Sequence, residues 1–303
     1  MLLVILYHSF LFWNENWIGI KPVVPLINCP PLAIFCTWLN SFHIYAFTLV
    51  SGYIYAFIRF EKGGYTKYKA FIKNKAKRLL IPFVFCLLCW SIPIRIILLH
   101  PEQKILVDWF LLGENPEQLW FLLMLFWIFL MVYPFSSIIN HSNIGAVIIA
   151  AGFYFLGTVG SHFIPNYYRI WTGFYFMPYF ILGIKVRQTG LHIHLVIQVA
   201  FHIILFIASN YMRSLDGVFY KIVGKGTDFC LHLISALMAF SLLQLIAEKV
   251  KWKNSNMFML LASCSMPMYL FHEQIAHITM VAFNGMNPYM HASLNFIISA
   301  GIS

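Results

Sequence analysis

The chain reads as an all-α, polytopic transmembrane helical bundle of about ten spans, and three observations predict this. Of its 303 residues 61% are hydrophobic and 10% charged, whereas a soluble domain carries about 25% charged residues. Mean hydropathy is +0.77. The apolar residues run in blocks near the roughly 20 residues a membrane helix needs, without the period-two alternation and half-length segments of a membrane β-barrel. The polar stretches between the blocks are too short to hold a soluble domain, so residues 1–303 read as a single integral membrane domain.

In chain order the spans are expected at 1–13, 32–60, 79–99, 117–140, 144–159, 169–187, 191–209, 228–248, 257–281 and 290–303. The first and last are short: thirteen residues rise about 20 Å against a hydrocarbon core of about 30 Å. Both ends therefore read as truncated. A signal peptide is the competing reading of the start, but no basic segment precedes the apolar run and no small-x-small site follows it. Residues 104–113, KILVDWFLLG, are too short to span and are expected to lie in the membrane interface. Trp17, Tyr167, Tyr168 and Trp171 fall near span ends, as an aromatic belt requires.

Charge sets the orientation. With residues 61–78 on the cytoplasmic side, the inner loops and the end of the second span hold thirteen Lys or Arg against Glu61 and Glu248. The outer loops hold six basic residues against Glu15, Glu102, Asp108, Glu114, Glu117, Asp216 and Asp228. That asymmetry places both termini in the cytoplasm and the chain in the inner membrane. The same distribution argues against a nucleic-acid partner, since the net charge of +10 is dispersed over short loops and forms no basic groove. Five of the six cysteines, Cys36, Cys86, Cys89, Cys230 and Cys264, lie inside apolar spans and read as packing thiols. The pair Cys86-x-x-Cys89 has no partner pair and no nearby His, so no metal site is expected, and the histidines are scattered over different spans.

An ionisable group at membrane depth is costly and usually faces the bundle interior, where it serves a pathway or a reaction. His8, His43, Arg95, His202, His232, His272, Glu273 and His277 meet that criterion. His43, His202 and His232 read as hydrogen-bonded interior residues. His8 stands in LYHS with only Tyr7 and Ser9 as polar neighbours, and His272 and Glu273 in SMPMYLFHEQ form the densest polar point of any span. Adjacent residues diverge by about 100° on a helix, so His272 and Glu273 are not expected to face one cavity equally. The loop EKGGYTKYKAFIKNKAKRLLIP carries Lys62, Lys67, Lys69, Lys73, Lys75, Lys77 and Arg78, which suit either anionic lipid or a phosphate-bearing donor.

Six segments in order, LYHS, FTLVSGYIYAF, NKAKRLLIP, EQLWFLLMLF, YFILGI and SMPMYLFHEQ, make the chain resemble the membrane-bound acyltransferase 3 family over nearly its whole length. That family includes O-acetyltransferases of cell-surface polysaccharides and other cell-envelope glycans. The resemblance implies His8 as the essential first-span histidine, His272 as a recurrent late histidine, Arg78 as the basic residue before the proline that opens the third span, Ser51 and Gly52 as the small pair of the second, and Trp120 in the LWF signature. The family's arginine about ten residues upstream of the histidine has no counterpart here, since only seven residues precede His8.

The implied chemistry is O-acylation of a carbohydrate hydroxyl. An acyl thioester, acetyl coenzyme A or another acyl coenzyme A, is the donor substrate, with no permanently bound cofactor. Its phosphates would meet Arg78, Lys75 and Lys77 through charge-assisted hydrogen bonds. A sugar hydroxyl needs a base within reach, and neutral imidazole suits the task. His8 is that base or the site of an acyl-histidine relay. Ser51, Trp120 and Glu273 are the expected substrate contacts, with Asp108, Trp109, Glu114 and Glu117 as outer acceptor contacts or solvated loop residues. The rival is a transporter or flippase for a polar lipid, glycan or acyl group, although Pro93, Pro178 and Pro267 are not placed with the symmetry of paired broken helices.

Overall fold

The computed structural model describes residues 1–13, 29–99, 103–191, 193–249 and 256–303. Glu15, Trp17, Lys21, Glu102, His192 and the inner-loop residues 250–255 lie outside the described residues. Among the described residues the chain is helical, with no strand.

The helices run α1 (Leu2–Phe10), α2 (Pro30–Asn40), α3 (His43–Ala56), α4 (Tyr68–Cys86), α5 (Ile92–Leu99), α6 (Gln103–Ile105) and α7 (Trp120–His141) through the first half. The second half holds α8 (Asn143–Phe163), α9 (Ile170–Thr189), α10 (Leu195–Arg213), α11 (Val218–Lys249), α12 (Asn256–Ser263), α13 (Ser265–Ala282) and α14 (Pro288–Ile302). Among the described residues six helical stretches are long and apolar enough to cross a membrane: Pro30–Glu61, Tyr68–Leu98, Glu117–His141, Asn143–Phe163, Leu195–Arg213 and Val218–Lys249. The other four expected spans also form helix, but each falls short. The helical run Leu2–Trp13 and α14 lack the length. With 20 and 18 residues, α9 and α13 lack apolarity instead. In α13 the deficit comes from His272, Glu273, Gln274 and His277, all of them buried.

Proline accounts for two departures from straight spans. The expected span 257–281 breaks at Cys264, and Pro267 falls in the first turn of α13, where its missing N–H is tolerated. The span expected at 79–99 widens into a π-turn at Leu87–Ser91. Pro93 follows immediately, and its ring and absent amide disturb the i→i−4 ladder there.

At the centre of the bundle α9 packs against α3, α7 and α8, with Met177, Tyr179, Phe180 and Ile184 wholly buried. Two glycines set its distance from α3. A Cβ on Gly52 would stand 2.0 Å from the Phe180 carbonyl oxygen, and one on Gly183 2.0 Å from that of Leu49. Only hydrogen fits at either place, which explains the glycine of the Ser51-Gly52 pair in physical terms. Ile144, Val147, Ile148 and Phe155 of α8 and Ile203, Ile204 and Ile207 of α10 face outward, as lipid-facing flanks do. On the other side of the bundle α1 packs on α2, α13 and α14, which brings His8 to the polar face of α13.

Candidate active site

His8 is carried on α1 and meets two side chains of α13. Its Nδ1 lies 3.6 Å from Glu273 Oε2, and its ring centroid is 4.9 Å from that of His272 in edge-to-face contact. The divergence expected for adjacent helix residues is therefore no barrier, because α1 lies across the groove between them. The His8 side chain keeps 13% of its surface exposed, whereas His272 is sealed.

The tautomer of His272 follows from its partners. Its Nδ1 stands 2.9 Å from the carbonyl oxygens of both Met268 and Tyr269. Carbonyls only accept, so Nδ1 carries the proton and Nε2 is a bare acceptor. That Nε2 is buried without a hydrogen-bond partner among the described residues, as are His8 Nδ1 and Glu273 Oε2. Unsatisfied polar atoms converging at one point in a helical bundle mark a place where something polar is meant to sit.

Behind the histidines lies a second polar layer. Glu117 and Gln118 precede α7, and Glu273 and Gln274 lie on α13, so two Glu-Gln pairs face each other across the bundle. Gln118 Nε2 donates to Gln274 Oε1 at 2.7 Å and to the Leu270 carbonyl at 2.7 Å. Gln274 Nε2 lies 2.6 Å from Glu117 Oε2 and 3.0 Å from Ser91 Oγ, the latter at the end of the π-turn. Arg95 of α5 pairs with Glu117 at 2.6 Å. The Tyr269 hydroxyl donates to the Gln118 carbonyl. Glu117 adopts φ 49°, a left-handed conformation that costs a non-glycine residue about 1–3 kcal/mol and turns its carboxylate inward. It is 7% exposed, so the expectation of a solvated outer-loop carboxylate is corrected: Arg95 and Gln274 supply the partners that burial demands.

His277 Nε2 lies 4.0 Å from Glu273 Oε1. Donor atoms of Glu117, Glu273 and His277 all fall within 4.8 Å of one another, a spacing that suits a metal ion. Scattering along the chain is thus no argument against a metal, contrary to the sequence reading, because packing gathers His8, His272 and His277. The donor set itself fits poorly, since the Arg95 guanidinium already occupies Glu117 and a second cation would meet it at contact range.

The remaining predicted residues lie elsewhere. Ser51 Oγ donates to the Phe47 carbonyl one turn back, at 2.9 Å. Trp120 opens α7 and packs on Phe176. Lys75 places Nζ 3.8 Å from the Phe129 ring centroid, a cation–π contact, while Lys77 and Arg78 are exposed on α4. In the π-helical stretch Leu106–Leu111, Asp108 and Trp109 precede a buried Phe110. His202 is a satisfied interior histidine: it accepts from Trp38 Nε1 at 2.9 Å and donates to Ser235 Oγ at 2.7 Å. His43 likewise bonds the Leu39 carbonyl at 2.9 Å. His232 stacks on Tyr45, with centroids 3.9 Å apart. Sequence reasoning gave no role to Gln118, Gln274, Tyr269 or Ser91. The repeated Glu-Gln dipeptide in EQLWF and HEQI was the available signal.

A family model described as an acyltransferase domain matches residues 1–302. No curated protein and no solved structure matches the chain.

Proposed function

The chain belongs to the acyltransferase 3 family, and from that premise we propose that it moves an acyl group from acyl coenzyme A, acetyl in the simplest case, to a hydroxyl of a cell-surface or lipid-linked sugar. The observation that carries this reading is the His8–Glu273 pair beside the bare Nε2 of His272. The reading includes a ten-span arrangement in the inner membrane with both termini cytoplasmic.

Glu273 orients His8. With the carboxylate at Nδ1, the imidazole holds its proton there and turns a lone pair outward at Nε2. The 3.6 Å separation is longer than a hydrogen bond, as is common before substrate tightens a site. His8 Nε2 takes the proton of the attacking hydroxyl, the oxygen forms a bond to the thioester carbonyl carbon, and the carbon–sulfur bond breaks. The same proton passes to the departing thiolate, so the imidazole ends as it began. Glu273 stabilises the transient imidazolium. His272 accepts a hydrogen bond from the acceptor and aligns it. Arg78, Lys75 and Lys77 contribute donor contacts on the opposite, basic face.

Labelled acetyl coenzyme A supplied to membranes containing wild-type protein or His8→Ala tests this, with label followed into glycan. Transfer should be at least about 10²-fold faster with wild type than with His8→Ala. Equal transfer by both would remove the base assignment, and glycan or lipid movement without thiol release would favour the transporter. Arg78→Ala should raise the KM for donor more than it lowers turnover at saturation, because its contact is made equally in ground and transition states.

A further inference from the structure

On the basic side, the π-turn that follows α3, the loop after it and the end of α7 line an open cavity of about 320 Å³, apart from the histidine cluster. Its lining includes Arg59, Gly63, Thr66, Ser137 and His141, and no carboxylate. The adjacent Glu61 is turned away and tied to Arg187 by two bonds of 2.5 Å.

The wall of the cavity is a braced turn. The helix ends in a π-turn at Phe57–Glu61, and Gly64 N donates to the Ile58 carbonyl at 2.8 Å. Gly63 has φ 63° with open space where a Cβ would stand, so glycine is there for its dihedral. Tyr65 has φ 56°, which a side chain resists. Arg59 Nη1 holds it by donating to the Tyr65 carbonyl at 2.6 Å, and the Tyr133 hydroxyl shares its one proton between the carbonyls of Tyr65 and Thr66, each 2.9 Å away. Arg59 also stacks on Tyr133, 3.8 Å from its centroid. The Gly63 and Thr66 amides and the Thr66 and Ser137 hydroxyls, on exposed residues of the lining, meet no protein acceptor among the described residues. Lys75 flanks the same turn, 5.1 Å from the Tyr65 ring.

A turn braced by a guanidinium and a phenol, with amide and hydroxyl donors free for a ligand at the edge of a carboxylate-free cavity, suits a tetrahedral oxyanion. We propose that this cavity binds a phosphate group, that of the acyl donor, so that the Gly63–Thr66 turn and Ser137 hold phosphate in addition to the exposed basic stripe of α4. This assignment rests on the acyl coenzyme A reading above.

The test is calorimetric binding of coenzyme A and of pyrophosphate to the full chain in phosphatidylcholine nanodiscs, for wild type, Ser137→Glu and Ser137→Lys. Ser137 is exposed on α7, so both variants should fold. Ser137→Glu should weaken both ligands at least tenfold, and Ser137→Lys should keep or tighten them. Wild-type affinities in both variants would overturn the site. If pyrophosphate binds in a Ser137-dependent way but coenzyme A binds nowhere, the phosphate site stands and the donor reading falls. Displacement of pyrophosphate by phosphatidylglycerol in the disc but not by coenzyme A would assign the cavity to lipid phosphate and overturn its role for the donor.

Discussion

At the scale of single residues, burial turns ordinary side chains into chemical ones. Of the polar neighbours of His8 on α1, Ser9 turns its hydroxyl to the Ile5 carbonyl and Tyr7 meets the His8 ring edge-on, while Glu273 and His272 approach from α13. Removing a general base costs about 10²–10⁴ in rate, and His8→Ala should lower kcat by at least 10² while donor affinity stays near wild type; steady-state kinetics with saturating donor would show it. Glu273→Gln keeps the shape and loses the charge that supports the imidazolium, so kcat should fall with little change in acceptor KM. Only neutral imidazole accepts a proton. The rate should therefore rise with pH on the acid side, and the residual rate of His8→Ala should lack that limb. Because Arg95 occupies Glu117, prolonged dialysis against EDTA should leave transfer unchanged, and a loss restored by one divalent ion would make the Glu117–Glu273–His277 trio a metal site.

At the scale of elements, close helix approach explains residues that look functional in the sequence. Gly52 and Gly183 allow α3 and α9 to touch backbone to backbone. Gly52→Ala would press a methyl into the Phe180 carbonyl, and the expected cost is that of core overpacking, about 1–3 kcal/mol; the thermal midpoint in detergent should drop accordingly, with Ser51→Ala nearly neutral since its hydroxyl only bonds its own helix. Helix existence was legible because apolar runs are local. The breaks at Cys264 and Leu87–Ser91 were less so, since proline says that a ladder is disturbed but not whether the helix stops, widens or bends. The shortfall of α13 in apolarity shows the same limit from the other side: a helix buried among others tolerates His, Glu and Gln that lipid would reject.

At the scale of the whole molecule, the excess of Lys and Arg on one set of loops sets the orientation tested by labelling. Lys225→Cys should react with an impermeant maleimide in intact cells, and Lys67→Cys only after lysis, both in a background lacking the native cysteines. The reverse pattern would invert the bundle and the donor side with it. Composition and hydropathy by themselves determined that this is a helical membrane protein, and the motif order pointed to His8, His272 and Glu273, because the cost of placing a polar group in an apolar run can be read from the run alone. Tertiary structure decided which of those groups meet. Glu117 is an outer-loop acid in the sequence, and becomes the buried partner of Arg95 and Gln274 only when α5 and α13 close around it. Pairing depends on the rotation and crossing of helices far apart in the chain, which hydropathy, an average over neighbours, does not contain.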